Sequence, residues 1–217
     1  ATARSTPSSE AETVLDALRK NGALIESHRV DVTDEAAMER LFSSIRKDGP
    51  PLRGIIHSAG TLADAGIQQQ NAETVRTVMA PKVDGTYILE KLSRSDPIDI
   101  FCVYSSLSAV LGSPTQSNHS AANAALGSIM RERNSRGLPG LAIDWGPWSD
   151  IGAAAGNNTL ARLSEQGISA LSPAEGRAAS AYLMNTATGQ VAVAPVNWRK
   201  LSEWRGGPAN PVFSDLI

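Results

Sequence analysis

Apolar positions along the chain follow two patterns that alternate from one end to the other. Short continuous apolar runs indicate strands buried on both faces, and a recurrence every three to four residues indicates amphipathic helices. The predicted strands are residues 23–32, 52–60, 98–106, 140–146 and 190–196. The predicted helices begin after Ser9 and Asp34, span residues 71–93, run from His119 to Arg133, and begin again at Ser172. This alternation predicts an α/β fold built on a doubly wound parallel sheet.

Local signals refine the helix ends and the domain organisation. Residues 9–12 have the Ser-x-x-Glu form of a capping box, which would start the first helix. Pro81 falls inside the helical pattern of residues 71–93 and predicts a kink there. Residues 149–170 are rich in glycine and alanine without a clear period, so we expect a lid or substrate segment. A single domain over residues 1–217 is the simplest organisation.

The composition places the chain among globular proteins and narrows the classes of partner. Hydrophobic residues make up 41% of the chain and charged residues 19%. The formal net charge of −2 offers no basic excess for nucleic acid, and we expect no membrane span because no apolar run is long enough. Cys102 is the only cysteine, so no disulfide can form within the chain. We therefore expect a reducing, cytoplasmic location.

Polar segments follow four of the predicted strands. In doubly wound sheets, ligands bind beyond the carboxyl ends of the strands. The segments at such ends are Asp31, residues 57–60, residues 105–106 and residues 145–148. No G-x-G-x-x-G motif occurs, although a dinucleotide fold normally begins with a strand, a Gly-rich turn and a helix. Either the chain is not a dinucleotide fold, or it is a piece of one that starts late.

Four polar residues each have a structural explanation beside a chemical one. Lys82 shares a helical face with apolar residues, where its stem could simply cover apolar surface. Ser106 could cap a turn after its strand. His119 and Asn123 are four residues apart, so they share a helical face and could serve only to cap the helix start. A histidine also changes charge near neutral pH, so His119 could act as an acid.

Two generic arrangements are less well supported by the sequence. Ser106, His119 and Asp144 could form a hydrolase triad, but the serine lacks the G-x-S-x-G elbow of that fold. His28, His57 and His119 lack the spacing of metal ligands, so we expect no metal site.

Six segments, taken together, resemble the ketoreductase domain of modular polyketide synthases, a Rossmann-like member of the short-chain dehydrogenase/reductase superfamily. They follow the family's order and spacing over most of the chain: RVDVTD (29–34), GIIHSAGTLAD (54–64), APKVDGT (80–86), VYSSLSAVLGSPTQSNHSAANA (103–124), LAIDWGPW (141–148) and VNWRKL (196–201). The resemblance implies NADPH-dependent reduction of a β-ketoacyl chain. That chain would be carried on the phosphopantetheine arm of an acyl carrier protein, with other synthase domains as neighbours.

The resemblance also implies a catalytic set of lysine, serine, tyrosine and asparagine. These positions fall on Lys82, Ser106, His119 and Asn123, so a histidine stands where the family has its tyrosine. The Lys82 ammonium would disfavour protonated His119, and neutral imidazole is a poor acid, so we expect impaired reduction. Three alternatives stay open: proton supply by water and Ser106, slow supply by His119, or a non-catalytic scaffold within the synthase. A deliberate experimental substitution is a further explanation of the histidine.

The cofactor contacts implied by the resemblance lie at several strand ends. Arg4 would meet the 2′-phosphate of NADPH, Asp31 would hydrogen-bond the adenine, and Val32 is a further implied cofactor contact. The other implied contacts are Ser58, Ala59, Gly60, Gly146 and Trp148. The family's first strand, Gly-rich turn, first helix and second strand are missing, with only the end of that second strand matched, near Arg4. We therefore expect an N-terminally incomplete fold that is completed by the missing part.

Two further positions bear on stereochemistry under the same resemblance. The family's B-type reductases carry the motif LDD, which here reads Leu62-Ala63-Asp64 and keeps the last aspartate. The tryptophan that marks A-type reductases would fall at Leu111. The resemblance therefore implies a B-type hydroxyl configuration.

Overall fold

The computed structural model of the chain describes residues 1–152 and 159–206. The strands are β1 (Thr2–Ala3), β2 (His28–Arg29), β3 (Gly54–His57), β4 (Ile100–Ser106), β5 (Leu141–Trp145) and β6 (Gly189–Val193). The helices are α1 (Ser9–Lys20), α2 (Glu35–Asp48), α3 (Ala72–Met79), α4 (Gly85–Leu92), α5 (Ser108–Leu111), α6 (Ser117–Ser135), α7 (Thr159–Glu165), α8 (Pro173–Thr186) and α9 (Trp198–Trp204). A π-helical turn over Ala80–Asp84 joins α3 to α4.

The strands form two parallel sheets. β3, β4, β5 and β6 lie side by side in chain order, and every pairing is parallel. β1 and β2 form a separate parallel pair. Each connection between parallel neighbours contains a helix, which is the crossover that parallel pairing requires. Within the described residues, no ladder joins the β1–β2 pair to β3.

The four-stranded sheet is covered on both faces because side chains alternate along its strands. On one face, Phe101 and Val103 of β4 pack with apolar residues of α2, α4 and α6. On the other face, Cys102 packs with residues of β5 and α8. Cys102 is fully buried, and burial raises the pKa of its thiol to about 12. The predicted doubly wound parallel α/β fold is therefore confirmed.

Two elements, α1 and β3, leave apolar residues uncovered. Val14 and Leu18 of α1 are 57% and 46% exposed. Ile56 on β3, the edge strand of the larger sheet, is 58% exposed. Strands in parallel sheets are normally buried on both faces, so this edge differs from the rest of the sheet.

Several predicted boundaries need correction. The first helix is capped by Ser8, whose Oγ accepts from the Ala11 N–H, so the predicted capping box of residues 9–12 is wrong by one residue. The strand predicted over residues 23–32 is limited to β2. The predicted kink at Pro81 is instead a π-helical turn, because an interior proline cannot donate to the helical ladder and displaces it. Part of the segment predicted as irregular, 149–170, forms helix α7, and residues 153–158 lie outside the described part.

Candidate active site

The carboxyl ends of β4 and β5 open into a cavity of about 430 Å³. Lys82, Ser106 and His119 all contribute to its wall. Asn123 is fully buried beside them on α6, and its Nδ2 donates to the His119 carbonyl at 2.8 Å. The four residues that the resemblance grouped therefore meet in one region, although they come from three separate elements.

The π-helical turn presents Lys82 to the cavity. The Lys82 side chain is almost fully buried, and its Nζ donates to the Tyr104 carbonyl at 3.0 Å. Burial lowers the pKa of the ammonium to about 8, because charge is costly in a poorly solvated site. The loop after β3 passes close by, since a Cβ on Gly60 would lie 3.1 Å from Lys82 Cε. The simple snorkelling explanation does not fit, because the Lys82 head group points into the protein.

His119 lies in the first turn of α6 and lines the cavity with an uncharged ring. Burial and, less strongly, the charge of Lys82 lower the pKa of His119 to about 4, and the charge of Asp64 opposes them. Lys82 lowers the pKa of His119, as the sequence predicts, but burial lowers it more. The Nδ1 atom of His119 is buried and has no hydrogen-bond partner in the described part of the chain.

Ser106 ends β4 with its hydroxyl partly used. Its Oγ accepts from the Ser108 N–H at 3.2 Å, across the turn between β4 and α5. Accepting a hydrogen bond leaves the hydroxyl hydrogen free to be donated. The Ser106 hydroxyl therefore accepts a hydrogen bond within the fold and can still donate one to a ligand in the cavity.

The segment that precedes α6 is tied to the loop containing Asp64. Gln116 Nε2 donates to Asp64 Oδ2 at 2.9 Å, and Ser113 Oγ donates to Gln116 Oε1 at 2.9 Å. Asn118 is buried and its Nδ2 donates to the Ala63 carbonyl at 2.8 Å. Asp64 and Leu111 both line the cavity, as do Gln116 and Ser113. Sequence reasoning missed Gln116 and Asn118, since a lone amide gives no periodic signal.

The residues predicted to meet the distal end of a cofactor lie apart from the cavity wall. Asp31 Oδ1 accepts from Thr33 N at 2.9 Å and from Thr33 Oγ1 at 2.7 Å. These bonds lower the pKa of Asp31, and the charge of exposed Arg4 lowers it further. Val32 packs against the start of α4, where a Cβ on Gly85 would lie 2.8 Å from Val32 Cγ1. Arg4 and Asp31 thus share one charged neighbourhood at the end of the β1–β2 pair.

The remaining predicted contacts divide between the cavity and its supports. Ser58, Gly146 and Trp148 line the cavity, and Ala59 is exposed in the loop after β3. The Trp148 ring lies 5.1 Å from the ring of Trp145, measured between centroids. Its outer edge meets Gly176 on α8.

Gly176→Ala is expected to lower the melting temperature. A Cβ at this position would lie 2.0 Å from Trp148 Cη2, so the packed ring would have to move. Overpacking of this kind costs roughly 1–3 kcal/mol, which outweighs the gain of about 1 kcal/mol from replacing a helical glycine. Thermal unfolding measures the change in melting temperature. The control is Ala178→Gly at an exposed position on the same helix, which measures the effect of helix propensity alone. A raised melting temperature for Gly176→Ala would contradict this packing.

The alternative chemistries do not assemble in the described residues. Asp144 is fully buried in β5 and accepts from Gln190 Nε2 at 2.7 Å, and no hydrogen bond joins His119 to Ser106 or to Asp144. Over residues 1–152 and 159–206, no group of three or more metal-ligating side chains occurs. In the same ranges, no helix is long and apolar enough to cross a bilayer.

Comparison with known proteins identifies the family. The family model described as "KR domain" matches residues 1–150. The phenolphthiocerol synthesis polyketide synthase type I Pks15/1 of Mycobacterium bovis is 39% identical over 148 residues, which are 67% of this chain and 7% of that protein. The phthioceranic/hydroxyphthioceranic acid synthase of the same species is 33% identical over 197 residues, 89% of this chain and 9% of that protein. The chain thus spans less than a tenth of the length of either relative.

Solved structures agree with this family. The ketoreductase from the first module of phoslactomycin biosynthesis in Streptomyces sp. HK803 superimposes with a TM-score of 0.87 at 30% identity, covering 97% of this chain and 49% of that one. A ketoreductase from the macrolactin assembly line gives 0.81 at 35% identity, with coverages of 94% and 40%. An A-type ketoreductase gives 0.88 at 26% identity, covering 94% and 43% of the two chains. A similar fold therefore does not distinguish A-type from B-type reductases. Together, these findings establish that the chain belongs to the ketoreductase domain family of modular polyketide synthases.

Proposed function

We propose that this chain forms the catalytic part of a ketoreductase that reduces a β-ketoacyl chain to the β-hydroxyacyl product, at a rate limited by His119. One observation carries the proposal: Lys82, Ser106 and His119 converge on one cavity at the carboxyl ends of a parallel sheet. Ketoreductase domains of this fold typically depend on a nicotinamide cofactor.

The residues of the cavity fit such a cofactor. Lys82 uses one of its three N–H groups on Tyr104 among the described residues, which leaves two for a ligand. Gly60 has no side chain to fill the space between its loop and the Lys82 stem. When bound, the reduced nicotinamide supplies a hydride to the carbonyl carbon, and the π-electron pair moves onto the oxygen.

The chain's own residues act on that oxygen. The Ser106 hydroxyl donates a hydrogen bond to it, which stabilises the negative charge that develops there. Lys82 adds positive charge to the same region. The last requirement is a proton for the oxygen, and His119 occupies the family's position for its donor. A ring with a pKa of about 4 is protonated in roughly one molecule in 10³ at pH 7, so this final step is slow.

Cofactor selectivity is assigned to Arg4. Its exposed guanidinium shares the charged neighbourhood of Asp31 at the end of the β1–β2 pair. An arginine at such a place pairs with phosphate in a bidentate manner, so we propose NADPH over NADH.

The substrate is proposed to arrive on an acyl carrier protein, tethered by phosphopantetheine, from within the same cytoplasmic synthase. A segment that would add a further strand, as the resemblance implies for the N-terminal part of such a domain, is proposed as a second partner. Its support is the exposure of Leu18 on α1 and of Ile56 on β3, which is an edge strand of the larger sheet. A further parallel strand beside β3 would bury this edge.

B-type stereochemistry is proposed from the segment around Asp64. Gln116 holds the Asp64 carboxylate at the cavity wall, and Leu111 stands where A-type reductases have a tryptophan. The product configuration tests this assignment directly.

The proposed function is tested in the full-length protein with a β-ketoacyl thioester surrogate. We expect slow oxidation of NADPH, slower oxidation of NADH, and a B-type hydroxyl product on chiral chromatography. Cofactor binding is measured separately by fluorescence or calorimetry. NADPH that binds without any turnover, even over hours, would support the alternative of a scaffold domain. Absence of both binding and turnover would overturn the proposal.

A further inference from the structure

The carbonyl of Pro81 does not have the partner that an α-helix would give it. In an α-helix this oxygen would accept from the N–H four residues ahead, which belongs to Gly85. In the π-helical turn, the Gly85 N–H donates to the carbonyls of Ala80 and Lys82 instead. Pro81 is half-buried, and without its α-helical donor its carbonyl oxygen can accept a hydrogen bond from a neighbouring side chain.

The side chain of His57 supplies that donor. Its Nε2 lies 2.9 Å from the Pro81 oxygen, and a carbonyl oxygen only accepts, so Nε2 carries the hydrogen. His57 is the last residue of β3 and is 5% exposed. Burial, and less strongly the charge of Lys82, lowers the pKa of His57 to about 4, so its ring is neutral near pH 7.

We propose that His57 is a positioning residue that fixes the π-helical turn and thereby holds the Lys82 side chain in the cavity. Lys82 directly follows Pro81 within the turn. The residue that follows the π-helical turn packs closely against His57, since a Cβ on Gly85 would lie 3.5 Å from His57 Nε2. The Lys82 carbonyl is held as well, by the Thr86 hydroxyl.

Loss of the His57 donor would release this arrangement. The Pro81 oxygen would then recover a partner most simply by taking back the Gly85 N–H, which converts the π-helical turn to α-helix. Such a change of register rotates Lys82 about the helix axis and moves its Nζ away from the Tyr104 carbonyl. The inference rests on the proposed function only where it gives Lys82 a part in cofactor binding, because the position of Lys82 can be measured without a cofactor.

The first test uses the unmodified full-length protein. Nitrogen-15 NMR distinguishes the two neutral tautomers of a histidine ring and its protonated form. We expect His57 to be neutral at pH 7 with its hydrogen on Nε2. A hydrogen on Nδ1, or a protonated ring at that pH, would overturn the proposal.

The second test measures the pKa of Lys82 by NMR after carbon-13 reductive methylation of the lysines, with the signal assigned by its absence in Lys82→Arg. His57→Leu removes the donor, and His57→Gln keeps an N–H of similar reach. We expect the pKa of Lys82 to stay near its wild-type value of about 8 in His57→Gln and to rise towards 10.5 in His57→Leu. NADPH affinity is expected to fall about tenfold in His57→Leu and to recover in His57→Gln.

The outcomes separate the two proposals. An unchanged pKa of Lys82 in His57→Leu would overturn the positioning role. If His57→Leu does not fold, the same comparison is made with His57→Asn, whose amide is too short to reach the Pro81 oxygen. A shifted Lys82 in a protein that binds no NADPH would support the role of His57 while overturning the proposed function.

Discussion

His119→Tyr is expected to raise the turnover of NADPH with a β-ketoacyl surrogate by about 10²–10⁴-fold, the usual range for a positioned general acid. The physical reason is proton supply. The wild-type imidazole is neutral near pH 7 because burial and Lys82 lower its pKa to about 4. A phenol in the same place keeps its proton at pH 7 and can pass it to the developing alkoxide, helped by the Lys82 charge.

The control for this variant is His28→Tyr, the same substitution on β2 and away from the cavity wall. Initial rates and the dissociation constant of NADPH are measured for both variants. We expect the dissociation constant of NADPH to be unchanged, so that His119→Tyr increases the rate of reduction and not the affinity for the cofactor. The wild-type residual rate should rise as the pH falls from 7 towards 5 if His119 delivers the proton, since more rings are then protonated. Equal, low rates for wild type and His119→Tyr would show that the histidine is not what limits reduction.

Lys82→Met is expected to stabilise the fold by about 2 kcal/mol at pH 7 while abolishing reduction. The pKa of Lys82 falls from 10.5 in the unfolded chain to about 8 in the folded protein, which corresponds to about 3 kcal/mol at 1.36 kcal/mol per unit. Loss of its hydrogen bond to the Tyr104 carbonyl offsets about 1 kcal/mol of that gain. Methionine fills a similar volume without the buried charge.

The sign of the pH dependence provides a second measurement. Between pH 8 and 10.5 the unfolded chain keeps the Lys82 proton that the folded protein has released, so wild-type stability should rise with pH across this window. The buried Cys102 thiol, whose pKa is raised from 9.0 to about 12, opposes this rise above pH 9 in both proteins. Urea unfolding at pH 7 and pH 10 should therefore show a change in stability that is more positive in wild type than in Lys82→Met. Lys47→Met, at an exposed position on α2, is the control. A Lys82→Met protein less stable than wild type at pH 7 would mean that the ammonium is not penalised by burial.

The sequence was sufficient for the layer architecture because its apolar runs are long and regular. The seven residues of β4 form an almost continuous apolar run, and such a run has few alternatives to a buried central strand. Short elements were predicted less well. β2 has only two residues, and apolar residues such as Ile25 and Val30 flank it without belonging to it, so the pattern predicted too long a strand.

The candidate site was predicted as a group of residues, but the forces acting on it were not. Spacing and family order suggested that Lys82 and His119 are neighbours. Burial, which depends on the whole fold, dominates the pKa of each and could not be obtained from their spacing. The π-helical turn was also missed, because Pro81 signals that a helix is interrupted without showing how. The donor that repairs the interruption, His57, is 24 residues away.

The buried thiol of Cys102 has a practical consequence for studying the cavity. It is the only cysteine of the chain, and its pKa of about 12 leaves almost no reactive thiolate at neutral pH. Maleimide or spin-label reagents should therefore leave this chain unlabelled in its native state. A cysteine introduced at the exposed Val110, next to cavity-lining Leu111, would then be its single labelling site for a fluorophore, without any change to the background sequence.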